Sequence, residues 1–120
     1  DAKTLAVATP AGIYVSRDFG ASFKQVARGE QGLSVFFDLD GKHLWHGTYA
    51  DAPRLKRVEL QSGKISAITL PPLTRDAVAY IAQNPVNNME YAIATFERSI
   101  YVSKDAGKAW RQIADRGNGK

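Results

Sequence analysis

The phrase "SRDFGASF", residues 16–23, returns as "SKDAGKAW", residues 103–110, and this duplication narrows what the chain can fold into more than any other feature. The match runs past the octapeptide. "GIYVSRDFGASFKQVA" lies over "SIYVSKDAGKAWRQIA", and upstream "AVAT" (6–9) lies over "AIAT" (92–95). A third, decayed copy stands between them: "LWHGTY" resembles "YAIATF", and "RLKRVELQSGKISAI" resembles "SIYVSKDAGKAWRQI", with Gln61 roughly where the aspartate stands in the other two. A catalytic phrase written twice requires two active sites, whereas a phrase that shapes a turn recurs wherever its hairpin recurs. Self-similarity at a period of roughly forty to forty-five residues is the mark of a repeat architecture.

Alternation with β-branched and aromatic enrichment dominates the chain, and no window of a dozen residues keeps a helical period, so the fold class is all-β. Strands are predicted at 4–9, 12–18, 22–27, 33–38, 43–49, 54–60, 64–70, 77–83, 90–96, 99–105 and 109–114. Between them "TPAG", "DFGA", "DLDGK", "QSGK", "PPLTRD", "NPVNN" and "DAGK" carry the Gly, Pro, Asn or Asp that chain reversal favours. Within the repeated phrase, the short carboxylates of Asp18 and Asp105 can accept backbone N–H groups that a tight turn leaves unpaired. Gly20 and Gly107 allow a positive φ. Phe23 and Trp110 place an aromatic ring beside the turn, and Ser16 and Ser103 add a hydroxyl to the same knot. Neither aspartate has a nearby acidic partner, so no metal is expected there.

Ser-x-Asp-x-Gly-x-(Ser/Ala)-(Phe/Trp) resembles the Asp-box, or BNR repeat, and the likeness covers the chain through its repeats. The first copy departs from the family pattern only in Phe23 for the commoner Trp; the second keeps Trp110 but has Ala109 at the usual Ser or Thr place. The resemblance implies a β-propeller of four-stranded antiparallel meanders. It also implies that the box is structural and remote from any active centre, and that the protein is secreted or periplasmic. Counted in fours, residues 33–70 and 77–114 each give a complete blade and residues 4–27 an incomplete one. About 2.75 blades cannot close a ring that normally takes four to eight. The ring is therefore expected to be completed by self-association or by the remainder of a longer chain, and a start at Asp1 without Met or a signal-like stretch fits a mature or excised piece.

Connections in a meander alternate between its two ends. The end opposite the box gathers "TPAG" (9–12), "ARGEQG" (27–32), "YADAPR" (49–54), "PPLTRDA" (71–77) and "FERS" (96–99), which supply Arg28, Glu30, Tyr49, Asp51, Arg54, Arg75, Asp76, Glu97 and Arg98 as candidate binding residues. Loops on a rigid frame commonly carry binding. The primary expectation is a non-catalytic scaffold that binds carbohydrate or protein through this loop face. The alternative implied by the family is part of a glycoside hydrolase, with carboxylates from Asp51, Asp76 and Glu97 and an acidic sugar held by Arg28, Arg75 and Arg98. The "FRIP"-like phrase that accompanies the sialidase arginine cluster is missing from the sequence.

Composition removes other classes. A hydrophobic fraction of 44% and a charged fraction of 23% in 120 residues suit one ordinary domain. The net charge of +4 is spread along the chain without a basic arm, so nucleic acid is not an expected partner. There is no Cys, hence no disulfide and no thiolate site, and no apolar run of the length a membrane helix needs. His43 and His46, an odd number of residues apart on one strand, fall on opposite faces and make no chelating pair. No phosphate-cradling GxxxxGK[ST] and no GxSxG phrase occurs, and no cofactor is expected.

Overall fold

A computed structural model of the chain describes residues 3–119, and all regular structure within them is strand. The order is β1 (Leu5–Thr9), β2 (Gly12–Ser16), β3 (Lys24–Arg28), β4 (Gln31–Phe37), β5 (His43–Ala50), β6 (Ala52–Glu59), β7 (Ile65–Ile68), β8 (Val78–Gln83), β9 (Tyr91–Thr95), β10 (Ile100–Ser103), β11 (Arg111–Asp115) and β12 (Asn118–Gly119). They form three antiparallel meanders: sheet 1 is β1-β2-β3, sheet 2 is β4-β5-β6-β7, and sheet 3 is β8-β9-β10-β11 with β12 added outside β11. The internal repeat is visible in the pairing. Sheet 1 shifts register between Ile13 and Tyr14, and sheet 3 shifts between the equivalent Ile100 and Tyr101. A bulge at one place in both copies raises the twist of both hairpins alike.

Sheet 2 is the middle layer, and β5 shows how. Leu44 points to one side and packs with Ile13, Val15 and Ala27 of sheet 1. Trp45, one residue on, points to the other side and packs with Val78, Ile81, Tyr91 and Ile93 of sheet 3. With both faces covered, the run from Leu44 to Thr48 is buried throughout, so its alternation is hidden in the sequence. Burying a side chain of Trp size contributes on the order of 4–6 kcal/mol before entropy is charged against it. His46 lies on the sheet 1 side, fully buried, and neither ring nitrogen has a hydrogen-bond partner among the described residues. Burial, and then the nearby Lys56 charge, hold its pKa down at about 4, so the ring is neutral at pH 7. His43 faces the other way and meets Asp40 at 2.6 Å.

Several boundaries differ from the sequence reading. Predicted strands 12–18 and 99–105 stop at Ser16 and Ser103, because the box residues that follow are already turning, with φ of 62° and 89° at Phe19 and Gly20 and of 58° and 89° at Ala106 and Gly107. The expected loop 49–54 is strand almost to its tip: Tyr49 pairs with Pro53 and Ala50 with Ala52, leaving Asp51 alone in the turn at φ 65°. Pro53 is tolerated because it lies past Leu55, the last residue of β6 to pair with β7 on that side. Strand 64–70 ends at Ile68, ahead of Pro71 and Pro72. The unforeseen β12 turns back through Arg116 and Gly117, both left-handed at φ 51° and 88°, as a two-residue hairpin requires.

Candidate functional site

The duplicated phrase builds one hydrogen-bond knot twice. In the first copy the Ser16 hydroxyl donates to Asp18 Oδ1 at 2.8 Å and accepts the Gly20 N–H at 2.8 Å. Asp18 Oδ1 also accepts the Ser22 N–H at 2.9 Å. In the second copy the Ser103 hydroxyl donates to Asp105 Oδ1 at 2.7 Å and accepts the Gly107 N–H at 2.8 Å, and Asp105 accepts the Ala109 N–H at 2.9 Å. The serines are more central than their place in the pattern suggests: both are buried to within 1%, and each satisfies a turn N–H that the aspartate does not reach. The copies differ at one atom. Ser22 adds a hydroxyl bond to Asp18 Oδ2 at 2.6 Å, which Ala109 cannot make. The Ser22 hydroxyl, then its N–H and the Ser16 hydroxyl, hold the Asp18 carboxyl down at about 2. Asp105 is lowered by the Ser103 hydroxyl first and the Ala109 N–H second. Replacing Ala109 by Ser should complete the second knot and raise the thermal midpoint by about 2–4 °C in a calorimetric scan. The carboxylates of both boxes are thus occupied by their own hairpins, and among the described residues no group of three His, Asp or Glu side chains is arranged to hold a metal ion.

The third copy has lost the device. In the β6–β7 hairpin Gln61 does not replace the aspartate; Glu59 accepts the Ser62 hydroxyl at 2.6 Å and the Gly63 N–H reaches the Glu59 carbonyl at 2.8 Å. Trp110, which follows the second box, leans into the wedge between sheets 2 and 3 and donates its indole N–H to the Thr69 carbonyl at 2.9 Å. The β6–β7 hairpin offers no such ring, and the wedge between sheets 1 and 2 opens into a hollow of about 460 Å³ beside Arg17, Phe23, Val58 and Leu60.

At the opposite end the nine predicted loop residues separate into groups. Tyr49, Arg75 and Asp76 come together with Gln31, Leu33, Ala77 and Phe96 around a shallow depression of about 440 Å³. Asp76 Oδ1 accepts the Ala77 N–H at 2.8 Å and the Glu97 N–H at 3.0 Å, tying the loop before β8 to the turn after β9. Arg75 is exposed at φ 55° and enters none of the ion pairs among the described residues. Glu30 and Arg54 belong to a second group, outside that depression. Glu30 is buried and ion-paired with Lys56 at 3.1 Å and Arg54 at 3.2 Å. Burial pushes its pKa up, but the Lys56 and Arg54 charges outweigh that and leave it lowered. Arg28 ends β3, Asp51 caps the β5–β6 tip, and Arg98 turns toward the β11–β12 hairpin, where its guanidinium lies alongside Gly117. Leu33 and Phe96 were not among the expected residues. The signal for Phe96 is its position: it opens the turn "FERS" where "TPAG" has Pro10.

Comparison with known families matches residues 13–26 to the BNR-Asp box repeat. No curated protein matches the chain. Among solved structures, YCF48 bound to D1 peptide is similar with TM-score 0.75 and 21% identity over 99% of this chain and 38% of that one. The GH74 enzyme of Niastella koreensis is similar with TM-score 0.70 and 18% identity over 92% of this chain and 20% of that one. The GH74 xyloglucanase of Xanthomonas campestris is similar with TM-score 0.69 and 24% identity over 92% of this chain and 18% of that one. The chain spans less than two fifths of the length of each of these structures. At such identities the likeness is one of fold, and it agrees with the three meanders. The chain carries the BNR-Asp box repeat on sheets of the β-propeller kind.

Proposed function

We propose that the chain is a binding scaffold without catalytic chemistry of its own, taking a protein or carbohydrate ligand at the loop end. The observation that carries this reading is the depression shared by exposed Tyr49 and Phe96 and by Arg75, which enters no ion pair among the described residues, while the acid beside them is committed to the backbone. Two aromatic faces and a cation suit stacking on a sugar ring or an apolar side chain, with an anionic group held by the guanidinium. The similar structures include one protein with a bound peptide and one named a xyloglucanase, so frames of this kind serve both ligand classes. Hydrolysis of a glycoside needs two available carboxyl groups roughly 5–10 Å apart. Of the three carboxylates that the hydrolase reading would use, Asp76 is held by two backbone N–H groups, and neither Asp51, at the β5–β6 tip, nor Glu97 lines the depression, which favours binding over that reading.

The test uses glycan and peptide arrays followed by calorimetry, with chromogenic glycosides in parallel. Tyr49→Ala and Arg75→Ala are each expected to weaken the captured ligand by about 10-fold or more without changing the fold. Turnover of a glycoside that is lost in Asp76→Asn or Glu97→Gln would overturn the reading, as would ligand binding indifferent to both alanine variants.

A further inference from the structure

Sheet 2 forms a wedge with each of its neighbours, and the two wedges are closed differently. Between sheets 2 and 3, Trp110 packs against the buried cluster of Trp45, Val78 and Ile93 and ties itself to the Thr69 carbonyl through its indole N–H. With "RLKRVELQSGKISAI" laid over "SIYVSKDAGKAWRQI", Ile65 takes the place of Trp110. Ile65 is 49% exposed and does not line the hollow of about 460 Å³ between sheets 1 and 2. The walls of that hollow are apolar: Val15 and Val26 come from sheet 1 and Val58 and Leu60 from sheet 2, with half-exposed Phe23 beside them. Both walls, and the hairpin that would supply a plug, belong to consecutive sheets of this chain. Sheets added to a propeller stack on the far faces of sheets 1 and 3, so the hollow keeps its walls in an arc of any length. Its charges are one-sided. Arg17 and Lys24 line it, lie exposed and enter no ion pair among the described residues. The carboxylate that lines it, Asp18, has both oxygens taken by its own hairpin. The Arg17 guanidinium donates to the Leu60 carbonyl, which holds it across the mouth from sheet 1 to sheet 2. A guanidinium has several N–H donors, so this bond leaves others to take an anion.

We propose that the hollow between sheets 1 and 2 is a second binding site, which takes an aromatic ring of indole size carrying a carboxylate. The ring enters between Val15 and Val58 and lies against Phe23, closing this wedge as Trp110 closes the other. The carboxylate stays at the rim on Arg17 and Lys24, where a planar guanidinium and an ammonium both favour it. Apolar walls with a few polar groups at the edge, around a volume of roughly 300–1,000 Å³, are what ligand sites generally offer. A free aromatic acid and a tryptophan beside an acidic residue in a peptide both present this chemistry. The site lies at the box end, uses neither Tyr49 nor Arg75, and stands apart from the loop-end reading.

The probes are N-acetyl-tryptophan, a blocked peptide with Trp between two Glu residues, and the uncharged N-acetyl-tryptophanamide as control. Titration followed by methyl NMR is expected to shift Val15, Val26, Val58 and Leu60, with a Kd of about 0.1–1 mM for at least one of the two acids. Whichever acid binds more tightly identifies the source. The amide is expected to bind about 5-fold more weakly than the free acid, and Arg17→Ala and Lys24→Ala each to weaken the acids by about 3- to 5-fold while leaving the amide unchanged. Should loss of the Arg17 bond to Leu60 loosen the hollow, Lys24→Ala, which breaks no ion pair among the described residues, reads the charge by itself. Ile65→Trp returns a ring to the place that Trp110 holds in sheet 3, and is expected to raise the thermal midpoint by about 2–4 °C and to block both acids. Absence of binding by either acid at about 10 mM would overturn the proposal. So would shifts confined to other methyls, equal affinity for the amide, or an Ile65→Trp chain that is stabilised and still binds both acids.

Discussion

Replacing Asp38 by Ala is expected to lower the stability of the chain by about 3–5 kcal/mol in urea unfolding, because it strands several neutral buried donors, each of which costs about 1–3 kcal/mol when left without an acceptor. The residue stands just past β4 in "DLDGK", where composition suggests an ordinary turn, yet it is only 5% exposed. Its Oδ2 accepts the Trp45 indole N–H at 2.9 Å and the Tyr91 hydroxyl. Its Oδ1 accepts the Asp40 N–H at 3.0 Å and the Gln83 amide at 3.3 Å. Four donors from two sheets converge on one carboxylate, directly under the Trp45–Tyr91 ring pair with centroids 4.3 Å apart. Burial alone would raise the Asp38 pKa, but the bonds from Tyr91, the Asp40 N–H, Trp45 and Gln83 outweigh it and hold it below the usual carboxylate value. A carboxyl depressed in the folded state adds stability that is fully present above its unfolded pKa, near 3.9, and is lost as pH falls through the folded value. Acid unfolding of the wild-type chain should therefore draw on Asp38, and the Asp38→Ala variant should lack that part of its pH dependence. In Tyr91→Phe the Asp38→Ala loss should shrink, because one of the stranded donors is already gone. A loss under about 1 kcal/mol for Asp38→Ala would mean that water satisfies Trp45 and Tyr91 and that the network does not lock sheet 2 to sheet 3.

What the sequence disclosed, and what it withheld, follows from the range over which each feature acts. The meanders were legible because alternation and turn residues are local, and the two boxes because each knot closes within seven residues, from Ser16 to Ser22 and from Ser103 to Ala109. The weight carried by Ser16 and Ser103 is not legible in the sequence: a hydroxyl that is fully buried and accepts a turn N–H is spelled like any strand-end serine. Asp38 could not be read at all, since its donors Trp45, Gln83 and Tyr91 come from three other strands. The loop end was legible as a set of residues and not as a site. Tyr49, Arg75 and Asp76 converge while Arg28, Asp51 and Arg98 do not, because convergence depends on how neighbouring sheets are rotated, and periodicity carries no record of that rotation. Phe96 and Leu33 were absorbed into predicted strands, where an exposed aromatic and a core aliphatic are written with the same letters.

Gly107→Ala is expected to cost about 2–5 kcal/mol, and the same change at its repeat equivalent, Gly20→Ala, about 1–2 kcal/mol. Both glycines sit at φ 89°, where a Cβ is strained by the backbone itself, so that part of the cost is common to the two. The difference lies in the surroundings. A Cβ on Gly107 would stand 2.8 Å from Ile68 Cγ2 and 3.3 Å from the Trp45 ring, inside the packed wedge between sheets 2 and 3. A Cβ on Gly20 would find its nearest neighbour, Leu5 Cδ1, at an ordinary 3.5 Å. Paired urea titrations of the two variants measure the crowding that sheet 2 imposes on one box and that nothing among the described residues imposes on the other. Equal losses would show that Ile68 and Trp45 give way and that the wedge is looser than its distances imply.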